Sequence, residues 1–103
     1  MLVLTRADLE RILAPREVID ALAEAFRRHA GGRTSIPRRG VLRVGDDGVL
    51  FVMPALSRPA PGAREAGGLG AKLVTYYPRN RERGHPTHLA SYVLMDHATG
   101  EPL

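Results

Sequence analysis

In Val41-Leu-Arg-Val-Gly-Asp-Asp-Gly-Val-Leu-Phe-Val-Met53, two short β-type runs, residues 41–44 and 49–53, flank a cluster of turn residues. Glycine and aspartate at that spacing, between runs rich in valine and leucine, predict a hairpin. Residues 57–68 hold too many prolines and glycines for a regular element. Residues 70–77 then predict a third strand and residues 87–95 a fourth, joined by a polar, arginine-rich loop over residues 78–86. Asp96-His-Ala-Thr-Gly-Glu-Pro102 is turn chemistry again.

Upstream the period changes from two to 3.6. Thr5, with Asp8 three residues on, is a variant of the capping box, and Leu9, Ile12 and Leu13 fall on one side of a short turn or helix. Pro15 suits the first position of a second helix, where its missing N–H costs nothing. Val18, Ile19, Leu22 and Phe26 recur at helical spacing, and Gly31-Gly32 stops the element. Acidic residues lie early and Arg27, Arg28 and His29 late, which matches the helix dipole. Such a Phe-bearing stripe is read as ordinary core. The fold expected is α+β: a long N-terminal helix packed on a mixed, mainly antiparallel sheet of about four strands.

The chain has 103 residues, one domain at most, with a 44% hydrophobic fraction ordinary for a globular protein. Membrane insertion is not expected, because no apolar run approaches the roughly 20 residues of a span. The amino terminus has neither a basic leader nor a small-residue cleavage site, so no signal peptide is expected. Absence of cysteine excludes disulfides and thiolate metal sites and suits a reducing cytoplasm. The net charge of +4 raises nucleic acid as a partner. The arginines are dispersed among acidic residues, however, and the cluster Arg79-Asn-Arg-Glu-Arg83 reads more simply as a solvated loop than as a phosphate-binding one beside Tyr76 and Tyr77.

Of fifteen basic side chains only Lys72 is a lysine, and it stands in the apolar run Gly-Leu-Gly-Ala-Lys-Leu-Val-Thr-Tyr-Tyr-Pro (68–78). Lysine offers a compact point charge where arginine offers a planar fork. An unpaired ammonium inside a buried strand would be costly, so one reading is a pocket where Lys72 meets a carboxylate. The plainer reading is a lysine at a strand edge with its head group in water. Arg38 or Arg39, ahead of the hairpin, would complete an anion clamp. Other motifs are weak. Gly68-Leu-Gly70 lacks phosphate-loop spacing, and His85 with His88 lacks a third zinc ligand.

Read in order, the segments Pro37-Arg-Arg39, Val52-Met-Pro-Ala55, Gly68-Leu-Gly-Ala-Lys-Leu-Val-Thr75, Pro78-Arg-Asn80, Gly84-His-Pro-Thr87 and Asp96-His-Ala-Thr-Gly-Glu-Pro-Leu103 resemble the amino-terminal region of the ornithine cyclodeaminase/mu-crystallin family. The resemblance covers essentially the whole chain. It implies an NAD(P)-dependent enzyme, a lyase or oxidoreductase of amino-acid metabolism, acting on an amino acid or cyclic imine as ornithine cyclodeaminase, archaeal alanine dehydrogenase or ketimine reductase does. It also implies that Arg39 binds the substrate carboxylate, Lys72 assists it, Met53 lines the pocket and Thr87 contacts the nicotinamide cofactor. Ornithine-specific members resemble each other in a glutamate two residues before that methionine; here the position is Phe51, which disfavours ornithine and favours an apolar side chain or a cyclic imine.

By the same resemblance, residues 1–103 are one partial domain, the substrate-binding and dimerisation part of a two-domain enzyme and a homodimer through its sheet. The family's phosphate-binding loop, second pocket arginine and catalytic aspartate fall outside this chain, so the chain alone is expected to be inert and to bind no NAD(H). Two other readings stand beside it: a crystallin-like small-ligand carrier without turnover, and a basic nucleic-acid module.

Overall fold

The structure, a computed structural model, describes residues 1–63 and 67–103. Its elements are α1 (Arg6–Ile12), α2 (Pro15–Ala30), β1 (Thr34–Ser35), β2 (Gly40–Val44), β3 (Gly48–Ser57), β4 (Gly68–Tyr76), a 3-10 helix (Pro78–Arg83) and β5 (His88–Met95). The class is α+β, as the sequence predicts.

Local chemistry sets the helix ends. At α1 the Asp8 N–H donates to Thr5 Oγ1 at 3.3 Å and the Thr5 N–H donates to Asp8 Oδ2 at 2.9 Å, a complete capping box. The Thr5 hydroxyl, donating to Asp8 Oδ2 at 2.6 Å, then the Thr5 N–H, and Arg11 at 2.6 Å hold the Asp8 carboxyl below its ordinary value. Pro15 opens α2, and Gly32, at φ +70°, turns the chain out of it.

All strand pairings are antiparallel. β3 and β4 pair along their whole length, from Val49↔Tyr76 to Ser57↔Gly68. The expected irregular stretch at 57–68 is therefore shorter: Ser57 and Gly68 close the ladder, and residues 64–66 lie outside the described residues. β3 also carries Pro54 in mid-strand, on the stretch of its edge between β1 and β2. β1 and β2 lie end to end along that edge, and residues 36–39 step out of the ladder between them. The two-residue β1 escapes a sequence reading because it is too short to show a period. The expected polar loop contains the 3-10 helix, tied by Asn80 Nδ2 donating to the Pro86 carbonyl at 3.0 Å.

On its other side β4 pairs with β5, from Tyr76↔His88 to Leu69↔Met95. After β5 the Asp96 carboxylate accepts from the N–H groups of Ala98 and Thr99, each at 2.8 Å, and the chain returns so that Leu103 N–H donates to the Leu94 carbonyl at 3.1 Å.

Two expectations fail. Lys72 stands neither in a buried strand nor at an edge: β4 is flanked on both sides, yet the residue is exposed. The α2 stripe is not core either. Ile19, Leu22 and Phe26 are 60%, 53% and 70% exposed, and among the described residues no apolar side chain is buried. The reason is geometric, since α2 meets the sheet chiefly at β3. The accessible surface of 8430 Å² exceeds by nearly half the roughly 5,700 Å² of a folded monomer of 11.2 kDa.

Packing is closest where glycine lets an aromatic ring approach. A Cβ on Gly48 would lie 2.5 Å from the Tyr77 ring and 2.6 Å from the Val44 carbonyl oxygen. Gly48→Ala is expected to destabilise the fold by about 1–3 kcal/mol, read as a lower urea midpoint; an unchanged midpoint contradicts this packing. At Asp96 the backbone bonds of Thr99 and then Ala98 lower the carboxyl's pKa from its ordinary 3.8. Because the value is depressed, the turn's stabilisation is complete above the ordinary 3.8 and is lost as pH falls through the lowered value. Amide exchange protection at Ala98 and Thr99 should therefore disappear only at strongly acidic pH, and Asp96→Ala should remove it at neutral pH. Equal protection in both proteins would refute the assignment.

Candidate functional site

Directly opposed residues of an antiparallel pair share a face of the sheet. Met53 pairs with Lys72, and Lys72 with Tyr92. Met53, Lys72 and Tyr92 thus form one row across β3, β4 and β5. Arg39 directly precedes β2, outside its ladder, and borders a hollow with Met53. The Arg39 guanidinium lies 5.7 Å from the centroid of the Phe51 ring. Phe51 is two residues from Met53 on β3, so the two side chains share a face.

The sheet gives each side chain its direction. A one-residue slip of β3 on β4 would put Lys72 on the face of Leu50 and Val52 instead. The long, uninterrupted β3–β4 ladder excludes that slip. Beside Met53, the step of residues 36–39 out of the ladder leaves an open hollow of about 420 Å³ lined by Ile36, Pro37, Arg38, Arg39, Met53 and Pro54. Both candidate arginines border it, and Arg39 is the one placed on Phe51. Lys72 stands on the far side of Met53, and among the described residues its ammonium has no hydrogen bond or ion pair.

A guanidinium and an ammonium brought to one small carboxylate can bind it together: the fork takes oxygens in its plane, and the point charge adds attraction from the side. Other carboxylates lie elsewhere. Asp8, Asp20, Glu10 and Glu24 are engaged by arginines of their own helices, with Arg28 at 3.2 Å holding the Glu24 carboxyl below its ordinary value.

Thr87 is not part of this row. It precedes β5 by one residue, with its carbonyl accepting from the Tyr77 N–H at 2.9 Å and its hydroxyl 3.0 Å from His88 Nδ1. It borders a second hollow with Tyr76, Pro78, Arg81, Glu82 and His88, five strand positions from Tyr92, or about 17 Å away. There the Tyr76 and His88 rings are 4.6 Å apart. Gly68 and Gly70 sit inside the paired strand β4, so their backbone groups are committed to the ladder and cannot cradle phosphate. The described residues hold no cluster of three histidines or carboxylates for a metal, and none of their helices is long and apolar enough to cross a membrane.

Known proteins are similar to this chain along essentially its whole length. Over 102 residues the chain is 33% identical to alanine dehydrogenase of Archaeoglobus fulgidus, covering 99% of this chain and 29% of that protein. It is 32% identical to Δ1-pyrroline-2-carboxylate reductase of Bacillus cereus over 104 residues, covering 100% of this chain and 30% of that one. Among solved structures, Thermococcus litoralis Δ1-pyrroline-2-carboxylate reductase, in complex with NADH and L-proline, superimposes with a TM-score of 0.87 at 35% identity, over 100% of this chain and 30% of that one. An archaeal alanine dehydrogenase dimer with bound NAD gives 0.82 at 33% identity, over 99% and 29%. The chain therefore spans about 30% of the length of these relatives. The sequence model of the ornithine cyclodeaminase/mu-crystallin family matches residues 1–103, and the chain belongs to that family.

Proposed function

We propose that, as a member of this family, the chain supplies the carboxylate-binding part of an NAD(H)-dependent enzyme acting on a small amino acid or its cyclic imine. The reading is supported by Lys72 standing opposite Met53, and by Arg39 bordering the hollow beside Met53 with its guanidinium near Phe51. Their task is to bind and orient. With the carboxylate held by both cations, the adjacent Cα is fixed above Met53, and orientation of this kind is a large share of catalysis of hydride transfer.

Dinucleotide binding is assigned to the part of the relatives' length that this chain does not span. The assignment of Thr87 as a cofactor contact rests on the family correspondence alone. Phe51 bears on the substrate. Its ring beside Arg39 is an apolar wall, and a substrate with a second ammonium would lose hydration there without gaining a carboxylate partner.

The homodimer is proposed to use the sheet face that carries Leu42, Val52, Leu73, Leu89 and Val93, each at least 37% exposed. A face this apolar marks an interaction surface. The cysteine-free sequence suits the cytoplasm proposed for it.

The test is kcat/KM of the full-length protein for pyrroline-2-carboxylate, L-alanine and L-ornithine, with Arg39→Met and Lys72→Met alongside. The imine or alanine is expected to be preferred, and each substitution to lower kcat/KM by about 10- to 100-fold, the worth of a charge-assisted hydrogen bond. A clear preference for ornithine refutes the role of Phe51, and full activity of both variants refutes the clamp. Binding of L-proline without any turnover would instead identify a ligand carrier.

A further inference from the structure

Beyond the residues already assigned, the row ends in a tyrosine. We propose that Tyr92 is a substrate contact of the same site, its hydroxyl donating a hydrogen bond to the carboxylate and its ring closing the site on the β5 side. The proposal rests on the reading of Arg39 and Lys72 as carboxylate ligands.

Three observations carry it. Tyr92 is directly opposite Lys72 in the β4–β5 register, so both side chains leave the same face from neighbouring positions. Its ring does not swing outward past β5 but lies across β4. A Cβ on Gly70 would be 2.6 Å from Tyr92 Oη and 2.9 Å from Cζ, so the phenol occupies space that only glycine leaves open. Gly70 is two residues from Lys72, about 7 Å along the strand, and pairs on its other side with Ala55. The hydroxyl consequently lies over Gly70, on the face from which Lys72 also rises.

Its surroundings leave that hydroxyl for a ligand. Tyr92 is 62% exposed, and among the described residues its hydroxyl has no hydrogen-bond partner. The other two tyrosines beside this sheet are seated differently: Tyr76 rests on His88, and Tyr77 covers Gly48. A carboxylate has about four lone-pair sites, more than an ammonium and one guanidinium edge fill. A neutral O–H donor next to Lys72 meets that remaining demand without adding charge.

The experiment uses the full-length protein with pyrroline-2-carboxylate as the varied substrate and compares Tyr92→Phe, Tyr92→Leu and Gly70→Ala with Lys72→Met. Tyr92→Phe keeps the ring and removes only the hydroxyl. It should raise KM for pyrroline-2-carboxylate by about 3- to 10-fold, the range of one hydrogen bond, with kcat within about twofold, the KM for NADH unchanged and an unaltered melting temperature. The rise in melting temperature on adding L-proline should shrink in the same variant. Tyr92→Leu should raise KM further, and Gly70→Ala, by displacing the ring, should do at least as much as Tyr92→Phe. If Lys72→Met impairs the enzyme while Tyr92→Phe changes neither KM nor the L-proline response, the role of Tyr92 is overturned and the clamp stands. If Lys72→Met is also without effect, the carboxylate reading itself has failed.

Discussion

The pairing of β3 with β4 is the constraint on which the site depends. Nine consecutive residue pairs fix it. Strand side chains alternate with a period of two, so this ladder decides at once that Lys72, Met53 and Phe51 look one way and Leu50, Val52 and Leu73 the other. β5 inherits its faces from it and brings Tyr92 to the same row, while Arg39, just ahead of β2, borders the hollow beside Met53. The chemistry is thus a consequence of register. Met53, Lys72 and Tyr92 leave one face from three adjacent strands because the ladders leave the sheet no freedom to place them elsewhere.

The same sheet explains why the chain is open. A half-buried strand needs cover on one face, and here the apolar side chains of both the sheet and α2 reach solvent. About 2,700 Å² of surface beyond that of a compact monomer is of the size that specific protein interfaces bury. An exposed Lys72 follows from the same openness. Its ammonium keeps its hydration until something covers the face, and it can then exchange water for a substrate carboxylate at small cost.

Much of this was legible beforehand, and the misses share a cause. The hairpin turn at Gly45-Asp-Asp-Gly48, the Thr5 cap and the proline start of α2 are local signals, and local chemistry decides them. The isolation of Lys72 among arginines pointed to the site, and family resemblance pointed to Arg39. Tyr92 was missed because only the register joins it to Lys72. That register is set across the connection between Tyr76 and His88, whose 3-10 helix has no sequence period to count through. Burial was misjudged for a related reason. A helical stripe such as Val18, Leu22 and Phe26 shows that a face wants cover, but not which surface provides it.

Arg39 and Lys72 are separated by thirty-three positions in sequence and by one strand in space, and the account stands on their acting together on a single acid group. A crystal structure of the full-length protein with L-proline bound tests this most directly. The account requires one carboxylate within about 3 Å of both the Lys72 ammonium and the Arg39 guanidinium, above Met53. A ligand seated on the opposite face, against Leu73, with both cations left in water, would contradict it.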